Sequence, residues 1–399
     1  MRILIINLRI GSGSVGRIVS DLYHGIVSNG DQCKVAYARG GTADVPEEDT
    51  YKICSDIEIR IHAGLTRLFG NTAFYFKGST EKFCKWIEMY DPDIIHIHGV
   101  YGYYLNMESL FSYFSKSRAV IISTLHSCWD FTGHCCYFDF IGCDKWKSGC
   151  KKCKNKSSYP KSSFIDNTSR NYERKEFCYN ALRRCIIVTP SVWLAKIAKQ
   201  SFLGSKDIRV INNGVDTESF KRTQSLSKFV NPSVPCILCV ANIWDQRKGW
   251  EDVKELANMC GKDYQLIVVG LSKEQIKELP PQTIAISRTD SKEELAELYS
   301  SATVFFNPTY EDNYPTVNLE AASCQTPIVT YNTGGSPEIF NYGNWGIVIE
   351  HKGFQELFDY ANYVYLHKND FDYSNVSLLS NRIMIKNYCD LYKEVLNLE

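Results

Sequence analysis

An α/β fold with two doubly wound parallel sheets is what this 399-residue sequence predicts. Short apolar and β-branched runs alternate with amphipathic helical patterns, which is typical of parallel strands covered on both faces. These runs form two series, and the polar, turn-rich stretch 212–235 separates them. The chain has 44% hydrophobic residues and is too long to fold around a single hydrophobic core, which favours two domains of about 150 to 200 residues.

The predicted strands follow in order along the chain. The first series reads RILIIN, CKVAYARGG, DIIHIH, AVIISTLH and CIIVTPS, and the second reads CILCVAN, YQLIVVG, TIAIS, ATVFFNPT and PIVTYN. We therefore expect Rossmann-like domains over 1–211 and 212–376. The segment 377–399 has the pattern of an amphipathic helix, which could pack back on either domain; we adopt the N-terminal one.

The overall charge favours neither a nucleic acid nor a membrane as partner. Lys and Arg together number 45, as do Asp and Glu, so the chain creates no strong global field. The N-terminus lacks the features of a secretory signal, and no run reaches the roughly 18 apolar residues of a membrane span. We expect a cytoplasmic protein whose sixteen cysteines are reduced or bind metal.

Two acids near the carboxyl end of a second-series strand are candidate ligand contacts, because ligands of doubly wound sheets lie beyond that edge. Asn313 is predicted to cap a helix, whose free N–H groups attract phosphate. Asp312 precedes this helix and Glu320 lies within it, about 12 Å away at most. That distance exceeds the roughly 5 Å of a retaining glycosidase pair and suits two ends of a nucleotide sugar. The alternative is two unrelated acids.

Basic and glycine-rich loops follow other strands. Arg247 and Lys248 could neutralise phosphate, or could form an ordinary solvated turn. Gly11, Gly13 and Gly16 have the spacing of a dinucleotide-binding loop, but no acid closes the second strand, which argues against NAD.

Ordered motifs along nearly the whole chain resemble those of the retaining glycosyltransferases of family 4, which have the two-lobed GT-B fold. They are GSVGRIV, DPDIIHIHGVYGYYLN, LHSCWDFTGHC, TPSVWLAK, VINNGVD, WDQRKG, NPTYEDNYP and DNYPTVNLEAASCQTPIVTYNTGGSPE. The last contains an acid, seven residues and a second acid. The chain looks most like the bacterial subgroup that makes capsule, exopolysaccharide or colanic-acid-type polymers.

The resemblance implies roles for individual residues, with the two lobes facing across a cleft. Glu320 would bind the donor ribose and Asp312 the transferred sugar, although the family usually has Glu at that position and Glu311 stands beside it. His126 would act at the reacting sugar, and no cofactor would be required for catalysis. The further donor contacts would be Gly16, Arg17, Arg247, Lys248, Gly270, Glu311, Asn313, Tyr314, Pro315, Thr316, Gly334 and Gly335. The acceptor contacts would be His98 and Tyr101.

A cysteine-rich loop in the first half carries a separate hypothesis. Four thiols ending in C-x-x-C are typical of a tetrahedral structural zinc site; a redox pair or free thiols are the alternatives. The four are Cys135, Cys143, Cys150 and Cys153, with Cys136 able to replace Cys135. Lysines in the same loop, and the amphipathic segment IEIRIHAGLTRLF, could contact lipid phosphates and a membrane surface.

Together with the residues above, the resemblance implies a retaining hexosyltransferase. Its donor would be a UDP- or GDP-sugar and its acceptor a polyprenyl-diphosphate-linked saccharide, at the cytoplasmic face of the inner membrane. A nucleotide-sugar epimerase or a phosphorylase on the same fold is the alternative enzyme. A zinc-bearing nucleic-acid-binding module is the non-enzyme alternative; the main hypothesis expects no nucleic acid as partner.

Overall fold

The structure, a computed structural model, describes residues 1–162, 164–367 and 370–397. The chain divides into two compact units. The N-terminal unit comprises Met1–Asn212 and Met384–Glu399, and the C-terminal unit comprises Asn213–Ile383. The boundary proposed from the sequence lies at 211/212, and the last two residues of the predicted 377–399 helix lie outside the described residues.

The N-terminal unit is a seven-stranded parallel sheet in which α-helices connect the successive strands, except that a loop with a short 3-10 turn connects β2 to β3. Its elements are β1 Arg2–Ile6, α1 Gly13–Ser28, β2 Gln32–Tyr37, β3 Thr50–Lys52, α2 Asp56–Phe69, α3 Lys77–Tyr90, β4 Ile94–Ile97, α4 Met107–Phe114, β5 Val120–Thr124, α5 Thr168–Asn180, β6 Cys185–Thr189, α6 Val192–Lys199 and β7 Asp207–Val210. The strand order β3-β2-β1-β4-β5-β6-β7 reverses between β1 and β4. That reversal is the position at which a doubly wound sheet binds its ligand.

The C-terminal unit is a six-stranded parallel sheet of the same kind. Its elements are β8 Cys236–Val240, α7 Trp250–Met259, β9 Gln265–Val269, α8 Lys273–Glu278, β10 Ile284–Ile286, α9 Lys292–Ser301, β11 Val304–Asn307, α10 Thr316–Ser323, β12 Ile328–Tyr331, β13 Gly346–Ile349 and α11 Phe354–Leu366. The strand order β10-β9-β8-β11-β12-β13 reverses between β8 and β11. Two Rossmann-like parallel sheets confirm the predicted α/β class.

The C-terminal helix α12, Asn381–Asn397, packs back on the N-terminal unit, as predicted. Its apolar face joins the core of the first sheet through Met384, Leu391 and Val395. The Cβ of an alanine at position 25 would lie 2.2 Å from Ile385, so Gly25 allows α1 and α12 to touch closely. The helix begins at Asn381, because 374–379 form a 3-10 turn within the C-terminal unit.

Three strands were missing from the sequence prediction: β3, β7 and β13. All three lie at sheet edges and are largely exposed or half-buried. The first two, TYK and DIRV, lack the continuous apolar run of a central strand, and the third, GIVI, begins at a glycine, a residue that is depleted in strands. The polar stretch 212–235 also differs from a free link, since Val215 and Phe220 are buried in the core of the C-terminal unit.

Candidate functional site

A cluster of one acid and two bases lies at the switch point of the second sheet. Lys248 follows β8 and Asp312 follows β11, and these two strands are parallel neighbours. The Lys248 ammonium donates to the Asp312 carboxylate, and Arg247 Nη1 lies 3.9 Å from the same oxygen. Arg247 also donates to the Glu311 carbonyl oxygen at 2.6 Å. The fold therefore brings Asp312 to Lys248, which lies 64 positions earlier in the sequence, and to its neighbour Arg247.

Asp312 is held as a carboxylate. Burial alone would raise the pKa of its side chain, but the charges of Lys248 and Arg247 outweigh that effect, so the pKa lies below its ordinary value. The Asp312 Oδ1 atom also accepts from the Asn313 N–H at 2.8 Å. The neighbouring Glu311 side chain is fully buried. The Asp312 carboxylate is within ion-pair distance of both Lys248 and Arg247.

The helix after Asp312 starts later than the sequence predicts. Pro315 has an extended backbone and is the N-cap, so α10 begins at Thr316. Asn313 and Tyr314 are therefore outside the helix. Tyr314 precedes a proline, which restricts it to extended conformations and prevents a helical turn there. The predicted cap at Asn313 was wrong for this reason.

Glycines bring three loops of this edge into close contact. Gly334 has φ +59°, and a Cβ there would lie 2.2 Å from the Asp312 carbonyl oxygen. The N–H of Gly335 donates to that same oxygen at 2.9 Å. Gly249 similarly lies against Pro308, where a Cβ would meet the carbonyl oxygen at 2.2 Å. The backbone around Asp312 is thus fixed from the β12 and β8 sides.

Gly270 packs against the end of the neighbouring strand and not against the cluster of Arg247, Lys248 and Asp312. A Cβ at this position would lie 1.6 Å from the Ala241 carbonyl oxygen, at the end of the neighbouring strand. Its predicted donor contact stays a prediction, because the strand packing alone already requires a glycine.

Glu320 lies on α10, with its side chain 4% exposed. Its Oε2 atom accepts a hydrogen bond from the Tyr299 hydroxyl at 3.1 Å. Tyr299 lies on α9, and its hydroxyl holds one carboxylate oxygen of Glu320 in place. The orientation of the carboxylate is therefore set by the protein.

A buried carboxylate that the sequence analysis missed supports the same edge. Asp252 on α7 is fully buried and accepts hydrogen bonds from the hydroxyls of Tyr310 and Tyr331 at 2.8 and 2.7 Å. His351 Nε2 lies 3.1 Å from the second carboxylate oxygen. The sequence does contain a signal that could have revealed Asp252: it is an acid on the apolar face of an amphipathic helix, one turn before Leu256. Asp252 anchors Tyr310, which lies two residues before Asp312.

The glycine-rich loop of the N-terminal unit follows β1 at the other switch point. Gly11 and Gly13 have positive φ, as such a turn requires. The helix α1 already begins at Gly13, so Gly16 and Arg17 lie inside it and not in the loop. Gly16 packs against the Arg9 carbonyl oxygen, 3.4 Å from where its Cβ would be.

His98 and His126 form a pair after the neighbouring strands β4 and β5. His98 Nδ1 lies 2.9 Å from His126 Nε2, and the two rings stack 5.2 Å apart. Burial lowers the pKa of His126 to about 4 and that of His98 well below its usual value. Tyr101 packs over Gly99, with its ring 5.6 Å from that of Trp129. Both predicted acceptor-side residues therefore lie at one sheet edge with His126.

The cysteine loop brings two of its four predicted ligands into direct contact. The Cys135 thiol donates to Cys153, and this hydrogen bond lowers the pKa of Cys153 and raises that of Cys135. Burial raises the pKa of Cys150 to about 11. Within residues 1–162, 164–367 and 370–397, no group of three or more His, Cys, Asp or Glu side chains is placed to hold a metal ion. Zinc at Cys135, Cys143, Cys150 and Cys153 stays a prediction.

The amphipathic segment IEIRIHAGLTRLF forms most of α2 and has an exposed apolar side. Ile57, Ile61 and Leu68 are 68%, 49% and 45% exposed, and Arg60 and Arg67 are exposed beside them. His62, which also belongs to this predicted membrane-contacting segment, is instead buried, and its Nε2 accepts from the Ala73 N–H at 3.2 Å. Among the described residues, no helix is both long and apolar enough to cross a bilayer.

Two Rossmann-like units with these loops at their switch points are the architecture of the GT-B fold. Solved structures of this class are similar over the full chain. The sucrose-phosphate synthase of Thermosynechococcus elongatus is 14% identical with a TM-score of 0.71, covering all of both chains. The Anabaena protein HepE in complex with UDP-glucose is 15% identical with a TM-score of 0.63, again covering all of both chains.

The chain belongs to Glycosyltransferase Family 4, whose model matches residues 15–219. A second model, described as glycosyl transferases group 1, matches residues 234–365. A relative named for colanic acid biosynthesis, the glycosyl transferase WcaC of Escherichia coli K12, is 24% identical over 383 residues, covering 89% of each chain. The protein is therefore a glycosyltransferase, as the motifs predicted.

Proposed function

We propose that this enzyme transfers a sugar, with retention, from a nucleotide sugar to a lipid-linked saccharide during the synthesis of a surface polysaccharide. The observation that carries the proposal is the Lys248, Arg247 and Asp312 cluster at the switch point of the second sheet. Two cations and a carboxylate there match a diphosphate and a sugar hydroxyl. HepE, which is solved with UDP-glucose, and the colanic acid relative support this choice of donor and pathway class.

In the proposed reaction, Lys248 and Arg247 turn toward the donor diphosphate and neutralise the charge that grows on it as the bond from the sugar C1 to the phosphate oxygen breaks. The acceptor oxygen bonds to C1 on the same face, and its proton passes to the leaving phosphate. Asp312 holds a sugar hydroxyl and Glu320 the ribose hydroxyls. The protein acts by positioning and charge stabilisation.

Thermal unfolding in the presence of UDP-, GDP-, ADP- and dTDP-sugars tests the donor site. We expect at least one UDP- or GDP-sugar to raise Tm, and Glu320→Gln to weaken that donor's affinity about tenfold, by loss of a charged hydrogen bond. Glu356→Gln, at an exposed position of α11, is the matched control and should bind like the wild type. Absence of any nucleotide effect would refute the proposal.

Product analysis separates the transferase from its alternatives. NMR of the sugar first released from an α-linked donor should show the α anomer, because a retaining enzyme keeps the anomeric configuration of the donor. An epimerase would convert the donor without releasing it, and a phosphorylase would require inorganic phosphate. Release of the β anomer would contradict the retaining mechanism.

We further infer that α2 contacts the membrane that carries the acceptor. Ile57, Ile61 and Leu68 lie on one side of the helix and Arg60 and Arg67 border it, as in helices that lie in an anionic interface. Phe164, which is 74% exposed, extends this surface, since the next residue, Ile165, donates its N–H to the Leu68 carbonyl oxygen at 3.4 Å.

Sedimentation with vesicles of phosphatidylglycerol and phosphatidylcholine tests the α2 surface. Ile61→Glu should reduce bound protein about fivefold to tenfold, because a charge replaces a buried apolar contact. Met89→Glu, at a 77% exposed position of α3, controls for the added charge. Equal binding of the two variants would contradict a role for α2.

A further inference from the structure

The neighbouring strands β4 and β5 place four polar side chains on one face. Residues two apart along a strand point the same way, so His96 and His98 share a face, as do Thr124 and His126. The parallel register pairs Ile97 with Ser123, which brings the two sets side by side. His96 and Thr124 are fully or almost fully buried, and His98 is 2% exposed. Only His126 of the four is half-buried.

The three histidines are neutral near pH 7. Burial lowers the pKa of His96 to about 3 and that of His126 to about 4, and it lowers the pKa of His98 in the same direction. Each neutral ring carries a single N–H. The 2.9 Å contact between His98 Nδ1 and His126 Nε2 therefore contains one proton, which belongs to one ring or the other.

The second nitrogen of His98 decides between these two states. His98 Nε2 is buried and has no hydrogen-bond partner among the residues that the structure describes. If His126 donated, His98 would carry its proton on Nε2, as a buried N–H with nothing to accept it, which is the rarest kind of unsatisfied group. If His98 donates from Nδ1, its Nε2 carries no proton and is only an unsatisfied acceptor. The proton of His126 then lies on its Nδ1.

We propose that His98 is a positioning residue that holds His126 as the Nδ1–H tautomer, so that His126 acts on its ligand as a hydrogen-bond donor and not as a base. The inference rests on the proposed function only in assigning the reacting sugar as that ligand. With His126 Nε2 occupied by His98, no basic nitrogen remains for the acceptor proton. That proton then leaves on the phosphate, as in the reaction described above.

The C-terminal helix keeps His96 from competing with this arrangement. His96 Nδ1 contacts the Tyr392 hydroxyl at 2.7 Å, and its Nε2 contacts the Thr124 hydroxyl at 2.8 Å. Tyr388 bonds to Thr124 Oγ1 in turn, at 3.0 Å. Both ring nitrogens of His96 are thus engaged, while its ring packs 4.1 Å from that of His98. His98 is left with His126 as its partner.

Long-range ¹H–¹⁵N correlation spectra of the full chain, labelled with ¹⁵N-histidine, read the tautomer without any substrate. We expect His126 to be protonated on Nδ1 in the wild type and to become a mixture of tautomers in His98→Leu. His98→Asn, whose amide nitrogen can take the place of Nδ1, should restore the wild-type state. Tyr392→Phe alters only the contact to His96 and should leave the His126 tautomer unchanged. A wild-type His126 protonated on Nε2 would overturn the proposal, even if His98→Leu fails to fold.

Hydrolysis of UDP-glucose supplies the kinetic readout. His98→Leu should lower kcat about tenfold with KM changed less than about twofold, the effect of one misplaced hydrogen bond. His98→Asn should recover most of the rate. A wild-type rate in His98→Leu would refute the positioning role. If the wild type does not act on UDP-glucose, the assumed donor has failed, while the spectra still decide the tautomer.

Discussion

Replacing Lys248 by Met should destabilise the C-terminal unit and do so through Asp312. Lys248 and Asp312 are 17% and 15% exposed, so both charges are largely removed from water. Two unit charges at about 4 Å attract by about 4 kcal/mol at an effective dielectric constant of 20, before desolvation is subtracted. Hydrogen bonds to charged groups contribute about 1.5 to 3 kcal/mol net. Since Arg247 remains 3.9 Å from Asp312, we expect a loss of about 2 kcal/mol.

A double-mutant cycle isolates this term. Urea unfolding of Lys248→Met, Asp312→Asn and the double variant should give a coupling energy of about 2 kcal/mol, because the effect of each substitution on Arg247 and on the surrounding protein cancels in the cycle and only the Lys248 to Asp312 interaction remains. The Tm of Lys248→Met should fall by about 4 to 8 °C. Lys254→Met is the control, because Lys254 pairs with the 69% exposed Glu251 and should cost less than about 1 kcal/mol. The reasoning would be refuted if the stability losses of the two single variants were additive. It would also be refuted if Lys248→Met lost no more stability than the Lys254→Met control.

Two further predictions concern the same edge of the second sheet. Gly334→Ala should destabilise by about 2 to 4 kcal/mol in urea unfolding, since it combines a left-handed backbone with overlap on the Asp312 carbonyl. Gly261→Ala has nearly the same φ and open space and should cost only about 1 kcal/mol; equal losses would show that the crowding is unimportant. Because the folded pKa of Asp312 is lowered, its contribution is present above the unfolded value of about 3.9 and is lost as pH falls through the folded pKa. Asp312→Asn should therefore flatten the decline of stability below about pH 4, and an unchanged acid slope would contradict this.

The central strands were predictable because each is an apolar run. The edge strands β3 and β7 were missed because charged and polar residues interrupt them, and β13 because it begins at Gly346, whereas the edge strand β10 kept a recognisable pattern. Loops at the carboxyl ends of the strands could also be foreseen from topology alone. The contact between Lys248 and Asp312 could not, because it depends on the register of two strands far apart in the chain. His62 shows a related difficulty. It shares a helix face with Ile59 and Thr66, whereas Ile57, Ile61 and Leu68 lie on the other face, and only the packing of the helix decides which of two faces with apolar residues is buried.

The return of α12 to the N-terminal unit has a consequence for biogenesis. During synthesis the first sheet is complete by residue 212, yet the residues that cover His96 and Thr124, Tyr388 and Tyr392, are made only after the whole C-terminal unit. A nascent or truncated chain that ends before residue 384 therefore leaves polar strand residues and part of an apolar face without their partner helix. The N-terminal unit reaches its final packing last, although its synthesis begins first.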